Sequence, residues 1–446
     1  MPLKPAKVLE QFKFLHGIHT SERDRLDVVR RYWKGRQKLP AVIPAGTPNE
    51  VNVMARSSRV NIMPIVVNSL VQSTFVEGFR TKGSADDEAI WAVWQANRMD
   101  ARQTAIHRAA YGYGTAYAVV LPGDPEPVIR GVSPRSMTAV YGEDPDWPMM
   151  ALERLGKGLW RLFDEEASYY VSLNTATDRA EFISSEIHDV GVTPVVRFLD
   201  EDDLDDGDEV EPERQALDRN PPSARGQVAP LMPLQDQIDM TTFGLQIAQH
   251  YSAFRQRWIV GWVGESEAKT AKVGASRMLA FEDDPESIKL GEFEQTNLDG
   301  YIKSREASLR HAATLSQTPV HELIGELVNM SAEALAAAEA GRDRKVDERK
   351  TLLGESHEQV MWVAGRIKGV DVPADAEVKW RDTSARAFAA TVDGLGKIAT
   401  MLNVPSEMLW ERIPDTTKQD IQRWREAARQ GDSFQDLVDV LNRQAA

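Results

Sequence analysis

No cysteine occurs among the 446 residues, which removes disulfides, thiolate metal sites and cysteine nucleophiles together. No run of 18 apolar residues occurs either, and the start, MPLKPAKVLEQFKFLHG, has no apolar signal segment. The chain is therefore expected to be neither membrane-spanning nor Sec-exported, and to stay in a cytoplasm. Basic charge is short: 53 Lys and Arg face 68 Asp and Glu, a formal charge of −15. That balance argues against a conventional DNA-binding protein held by a basic face, while leaving room for local basic patches.

Several catalytic and ligating patterns are missing too. There is no GxxxxGK[ST] phosphate loop and no GxSxG elbow. His321-Glu322 begins like HExxH, but the fifth position is Gly325, which has no side chain to ligate a metal. Gly112 and Gly114 resemble part of a dinucleotide fingerprint, yet they follow a helical pattern and precede a strand, so a helix cap is expected. The eight histidines show no metal spacing and read as surface or packing residues. No carboxylate pair is singled out for acid/base work. No cofactor, metal or catalytic residue is expected.

What is present is length and a 42% hydrophobic content, enough for real cores and for about three domains, which need not be contiguous in sequence. The organising stretch is Pro319 to Ile367. Pro319 and Gly325 interrupt regular helix, and Ser331 then offers a side-chain cap, with Glu333 in the favourable first turn. Alanines at 332, 334 and 336 to 338, with Leu335, Val346, Leu353, Val360, Val363 and Ile367 at helical spacings, predict a rod of about 55 Å. A helix that long usually spans between domains or subunits.

In chain order, residues 1 to 45 read as a polar helix around SERDRLDVVRRYWKG, ended by Gly35 and LPAVIPAGTP. Residues 59 to 80 hold a helix-length apolar pattern closed by Gly78, and a second helix with Ile90, Trp91, Trp94 and Asn97 leads into ARQTAIHRAAYGYG. Strands are expected in TAYAVVLPG, PEPVIRGVSP, SMTAVYG, ALERLG, GLWRLFDEEASYYVSL and EFISSEIHDVGVTPVVRFLD, which makes the first half mixed α+β. Residues 200 to 211, DEDDLDDGDEVE, read as a solvated acidic loop without the EF-hand order. A helix from Pro233 to near Trp258, a short β-like segment from RWIVGWVG to SIKLGEF, and a helix in TNLDGYIKSREASLRHAATLSQT follow.

This order of elements, with several phrases inside it, resembles the portal proteins of tailed double-stranded DNA bacteriophages of the siphovirus type. The resemblance rests on Asn61, Val66-Val67-Asn68, Val76-Glu77-Gly78-Phe79-Arg80, Trp94 with Asn97, Ala109-Ala110-Tyr111-Gly112, Ala116-Tyr117 and Ser133-Pro134. It continues in Gly191, Pro194-Val195-Val196, Leu234-Gln235-Asp236-Gln237-Ile238-Asp239, Gln256-Arg257 and Gly261. Thr318-Pro319, Asn329, Ser331-Ala332-Glu333-Ala334 and Trp380-Arg381-Asp382 complete it, so nearly the whole chain is covered.

The resemblance implies a ring of twelve subunits around a DNA tunnel at the capsid vertex of a virion, assembled in a host cytoplasm. It implies a wing over 1–230, stem helices over 231–258 and 295–318, and a clip over 259–294. It further implies a tunnel loop over 319–330, a long helix and return to the wing over 331–387, and a helical crown over 388–446. Tunnel-loop residues would be Val320, His321, Glu322, Leu323, Ile324, Glu326, Leu327 and Asn329. Implied partners are the DNA in transit, a terminase large subunit, a head–tail adaptor, and the major capsid and scaffolding proteins, with no membrane. Positions 319 to 330 hold no lysine or arginine, which suits a conduit, because each phosphate contact would act as friction. Two other classes fit the residues alone: an adaptor with a helical strut, against which the apolar positions sustain no three a/d heptads, and an enzyme with a carboxylate site.

Overall fold

The computed structural model describes residues 2–39, 43, 46–80, 88–201, 225–253, 257–260, 278–281, 289–292, 297–325, 332–381, 388–413, 416, 421 and 423–429. The chain divides into two units, Met1–Arg381 and Asp382–Ala446.

Helix α1 (Pro5–Trp33) opens the first unit with proline in its first turn, where the missing N–H costs nothing. It is longer than the expected polar helix because Val8, Phe12, Leu15 and Ile18 form a buried stripe ahead of SERDR. That stripe packs with a five-stranded antiparallel meander, β4 (Met137–Tyr141), β5 (Pro148–Arg154), β6 (Leu159–Phe163), β7 (Ala167–Asn174) and β8 (Arg179–Ile187), hydrogen-bonded in chain order. The far end of α1, with Leu26, Val29 and Trp33, enters a different and larger core. One helix thus joins two cores.

The larger core gathers α3 (Met63–Ser73), α4 (Glu88–Ala96), α5 (Met99–Tyr113) and the antiparallel sheet β3 (Val128–Val132), β2 (Thr115–Leu121), β9 (Val195–Leu199), which follows a short α2 (Asn49–Ser57) in the chain. The expected helix through Gly78 stops at Ser73. Residues Val76–Arg80 instead form β1, paired antiparallel with β13 (Glu377–Trp380), so a partner about three hundred positions away overrides the local helical pattern. The expected single helix from Ile90 is two helices, broken at Arg98, whose φ of 53° is left-handed. Gly114, φ 91°, caps α5 as expected. The strands expected between Thr115 and Leu199 are all present.

Helices α6 (Met232–Ala253) and α7 (Asp299–Ser316) pack as an antiparallel hairpin, with the ring of Tyr301 against Gly244. Between them lies a small sheet of β10 (Arg257–Val260), β11 (Met278–Phe281) and β12 (Lys289–Glu292), in which β10 is parallel to β11 and antiparallel to β12. Trp258 therefore sits in a strand, not at the end of the preceding helix, which closes at Ala253. Beyond a short α8 (Val320–Ile324) runs α9 (Ala332–Lys368), whose 37 residues make the expected rod. Its buried side, Val346, Leu353, Val360, Met361, Val363 and Ala364, lies in the larger core with β2, β9 and α4. Gly369, φ 75°, turns the chain back toward β13. In the second unit, α10 (Phe388–Leu402) precedes two short 3-10 turns, with Trp410 edge-on to Trp424.

Candidate functional site: the loop after the hairpin and its anchorage

The hairpin is fixed at its base by the phrase Leu234 to Asp239. Gln235 accepts from the Ile62 amide at 3.2 Å and donates to the Val60 carbonyl at 2.8 Å, so one side-chain amide closes both groups of a bare peptide edge. Asp239 accepts from the Val60 amide, Gln235 and Gln37 at 3.1, 2.8 and 2.7 Å, while Tyr32 donates to Asp236 at 2.8 Å. Burial pushes the Asp239 carboxyl up from its ordinary range, against the pull of these donors. The first turns of α6 are thus bolted to α1 and to the segment before α3.

Helix α7 ends on Gln317 in a left-handed conformation (φ 54°), and the Thr318 amide returns to the Ala313 carbonyl at 3.0 Å. Where a loop is expected, Val320–Ile324 is a short helix. The same residues that interrupt a long helix bracket a short one: Pro319, at φ −53°, precedes its first turn, and Gly325, at φ 77°, closes it with its amide on the His321 carbonyl.

The expected loop residues fall into three groups. Leu323 is buried and Ile324 packs against the larger core, so both side chains turn into their own subunit. Glu322 is held by Arg342 of α9 at 2.7 Å, whereas Val320 is 43% exposed and His321 half-buried. Glu326, Leu327 and Asn329 lie outside the described residues.

Two buried polar sites with no signature in the local sequence hold α9 in place. Asp200, expected in the solvated acidic loop, is fully buried at the end of β9. It pairs with Arg349 Nε at 3.0 Å and accepts from Gln227, which in turn accepts from Lys345 Nζ; Lys345 also donates to the Ser316 carbonyl at 2.9 Å. Burial pushes the Asp200 carboxyl up to about 6, against the pull of Arg349. The Lys345 cation also suits the carbonyl end of α7. Gly226, next to Gln227, has φ 65°, and a Cβ there would stand 2.4 Å from the Gly114 nitrogen, so this corner requires glycine.

The second site is a histidine pair. His107 Nδ1 lies 3.1 Å from the Thr74 carbonyl, which can only accept, so that nitrogen carries the proton. His107 Nε2 must then accept from His357 Nε2–H, 2.8 Å away, and His357 Nδ1 is left without a partner. Both rings are fully buried among Trp94 and Phe198, and burial lowers His107 to about 4 and holds His357 well below its ordinary value. These are packing histidines, as expected. Among the described residues, no group of three His, Asp or Glu could hold a metal, and no helix is long and apolar enough to cross a membrane.

The family described as phage portal protein, SPP1 Gp6-like, matches residues 13–433. The chain belongs to this portal family. It is similar to the portal protein of Mycobacterium phage L5, at 27% identity over 400 residues covering 81% of this chain and 76% of that one. The portal protein of Mycobacterium phage D29 is 26% identical over 405 residues, covering 82% and 77%. Among solved structures, the chain is similar to the virion of the native gene transfer agent particle, with TM-score 0.48 and 14% identity over 84% of this chain and 95% of that one. The neck of the empty particle computed with C6 symmetry gives TM-score 0.49 and 13% identity over 84% and 95%.

In this portal chain, the phrases that carry the resemblance are structural anchors. Asn61 donates to the Trp33 carbonyl at 2.8 Å; Asn97 closes the peptide edge at Pro127 and Ile129; Gln235 closes the one at Val60 and Ile62; Trp380 pairs with Val76. The portal family is a structural one.

Proposed function

We propose that this portal subunit assembles into a closed ring of twelve copies at the capsid vertex, around a channel through which double-stranded DNA is packaged and later ejected. In this reading the α6–α7 hairpin is the stem, the small sheet between its helices the clip, α9 the strut across the wing, and the second unit the crown. A terminase large subunit and a head–tail adaptor dock on the ring, which assembles with scaffolding and major capsid proteins in the host cytoplasm and ends in the virion. The observation that carries this reading is the family match over residues 13–433, which runs through hairpin, inserted sheet, short helix and long helix in one unbroken order. Closed rings need two different complementary faces on each subunit, and elongated elements such as α9 supply them.

The channel-facing set is narrower than the eight expected residues. Leu323 and Ile324 are committed to the subunit core and Glu322 to Arg342, which leaves Val320, His321 and the segment after Gly325. Native mass measurement and negative-stain imaging of the purified protein test the assembly: closed rings with a central hole are expected. A stable monomer or plain dimer at high protein concentration overturns it.

A further inference from the structure

The last turns of α1 and the chain just beyond gather positive charge in this acidic subunit. Arg30, Arg31 and Lys34 leave the helix end, Arg36 follows the left-handed Gly35, and Arg135 arrives from the turn between β3 and β4. With Asp27 they line a cavity of about 230 Å³. The one carboxylate in the lining is already engaged, since Asp27 accepts from Arg135 Nε at 2.7 Å and also faces Arg23 at 3.9 Å. Among the described residues, no ion pair joins Arg30, Arg31, Lys34 or Arg36 to a carboxylate. Five cations against one anion leave the lining about four charges positive, in a chain whose total is −15.

The bland reading is a set of solvated arginines at a helix C-terminus, where the helix dipole tolerates cations. Two observations go beyond it. The charges line a concavity instead of fanning out from a convex face, so they raise one another's local potential until an anion relieves it. The floor beneath them is also rigid: Trp33 is buried edge-on to Tyr113, its carbonyl accepts from Asn61, and Gln37, beside Arg36, donates to Asp239. Guanidinium forks on a fixed floor match tetrahedral phosphate oxygens bidentately.

We propose that this pocket binds phosphate groups of the duplex DNA backbone, as a holding site outside the loop that follows the hairpin. It rests on the portal reading for the presence of DNA. Its chemistry is the opposite of that of positions 319 to 330, which contain no lysine or arginine: a sliding surface must avoid phosphates, and a holding surface must engage them. Several adjacent cations suit successive phosphates of one strand better than a single small anion.

The test uses the full-length assembled protein, a fluorescent 30-base-pair duplex and a salt series, comparing wild type with the Arg31→Glu/Arg36→Glu variant. Ring imaging and thermal melting run alongside, so loss of the portal assembly is distinguishable from loss of this site. Affinity is expected to fall by about tenfold or more, and the slope of log affinity against log salt by about 2, roughly 0.9 for each phosphate no longer neutralised. The Arg31→Lys/Arg36→Lys variant should keep most of the slope.

Equal duplex affinity and slope in wild type and the Glu variant overturn the proposal. If inorganic phosphate raises the melting temperature of wild type alone while duplex binding is unchanged, the pocket takes a small anion and the DNA assignment fails. It fails equally if an acidic peptide of sequence 200–211 occupies the pocket and the duplex does not. Should the Glu variant not fold, phenylglyoxal labelling of wild type decides: duplex protection of Arg31 and Arg36 supports the site, and unchanged labelling sinks it.

Discussion

At the scale of single residues, the fold relies on polar side chains that stand in for missing backbone partners. Gln103 closes the Val76 amide and carbonyl at 2.8 and 3.0 Å, as Asn97 and Gln235 do elsewhere. A buried peptide edge left open costs about 1–3 kcal/mol for each group, so each of these amides substitutes for a strand that is not there. The histidine pair gives the subunit an acid sensitivity of definite sign. Unfolded, each histidine binds a proton near pH 6.5; folded, His107 does so only near 4, and burial beside His107 holds His357 well below its ordinary value. The unfolded chain therefore holds more protons across this window, and the stability these residues contribute is lost as pH falls through it, about 3 kcal/mol for His107 alone. Asp200, whose folded value is raised, works in the opposite direction between about 6 and 3.8. Comparison with a His107→Gln/His357→Gln variant cancels that term. The wild-type advantage in denaturant unfolding should shrink from pH 7 to pH 4, and an advantage independent of pH would refute the assignment.

At the scale of elements, α9 is fixed at several points along its length: Arg342 to Glu322, Lys345 and Arg349 to the Asp200–Gln227 cluster, and His357 to α5. Replacing Arg349 by Ala strands a buried carboxylate, and the expected loss is about 3–5 kcal/mol. Adding Asp200→Asn should recover part of it. A double-mutant cycle by chemical denaturation checks this, and additive losses would mean the pair is not coupled.

Much of this element layer is legible in the sequence. The long helix, both hairpin helices and the strands from Thr115 to Leu199 announce themselves through local periodicity and bracketing glycines and prolines. What escapes is decided by distant partners. The Val76–Arg80 stretch reads as the tail of a helix until Glu377–Trp380 is beside it, and Asp200 reads as the first residue of an acidic loop until Arg349 reaches it. The candidate loop is legible as a break in the helical pattern. Its side-chain directions are not, because the burial of Leu323 depends on a core assembled from the whole first unit. The basic pocket is invisible for the same reason, joining Arg135 to residues about a hundred positions earlier.

At the scale of the whole molecule, the chain combines a negative overall charge with a basic pocket at the end of α1, and belongs to a structural family. The purified protein is therefore expected neither to hydrolyse ATP nor to cut duplex DNA with added divalent metals. The phosphate-loop pattern of nucleotide hydrolysis and the metal-ligand spacings of metal-dependent cleavage are missing from the sequence, and the family to which the chain belongs is a structural one. Turnover that co-purifies with the protein and is abolished by a point substitution within it would overturn this.

The pairing of β1 with β13 also sets a timetable. Trp380 leaves the ribosome 304 residues after its partner Val76, roughly 15 to 60 s later at ordinary rates of synthesis. One edge of β1 can close early, because Gln103 follows soon after it. The other edge stays open until the whole first unit has been made, and a chain interrupted anywhere before Glu377 carries that open edge permanently. Synthesis of the whole first unit is thus a condition for closing the second edge of β1, well before the 65 residues of the second unit are complete.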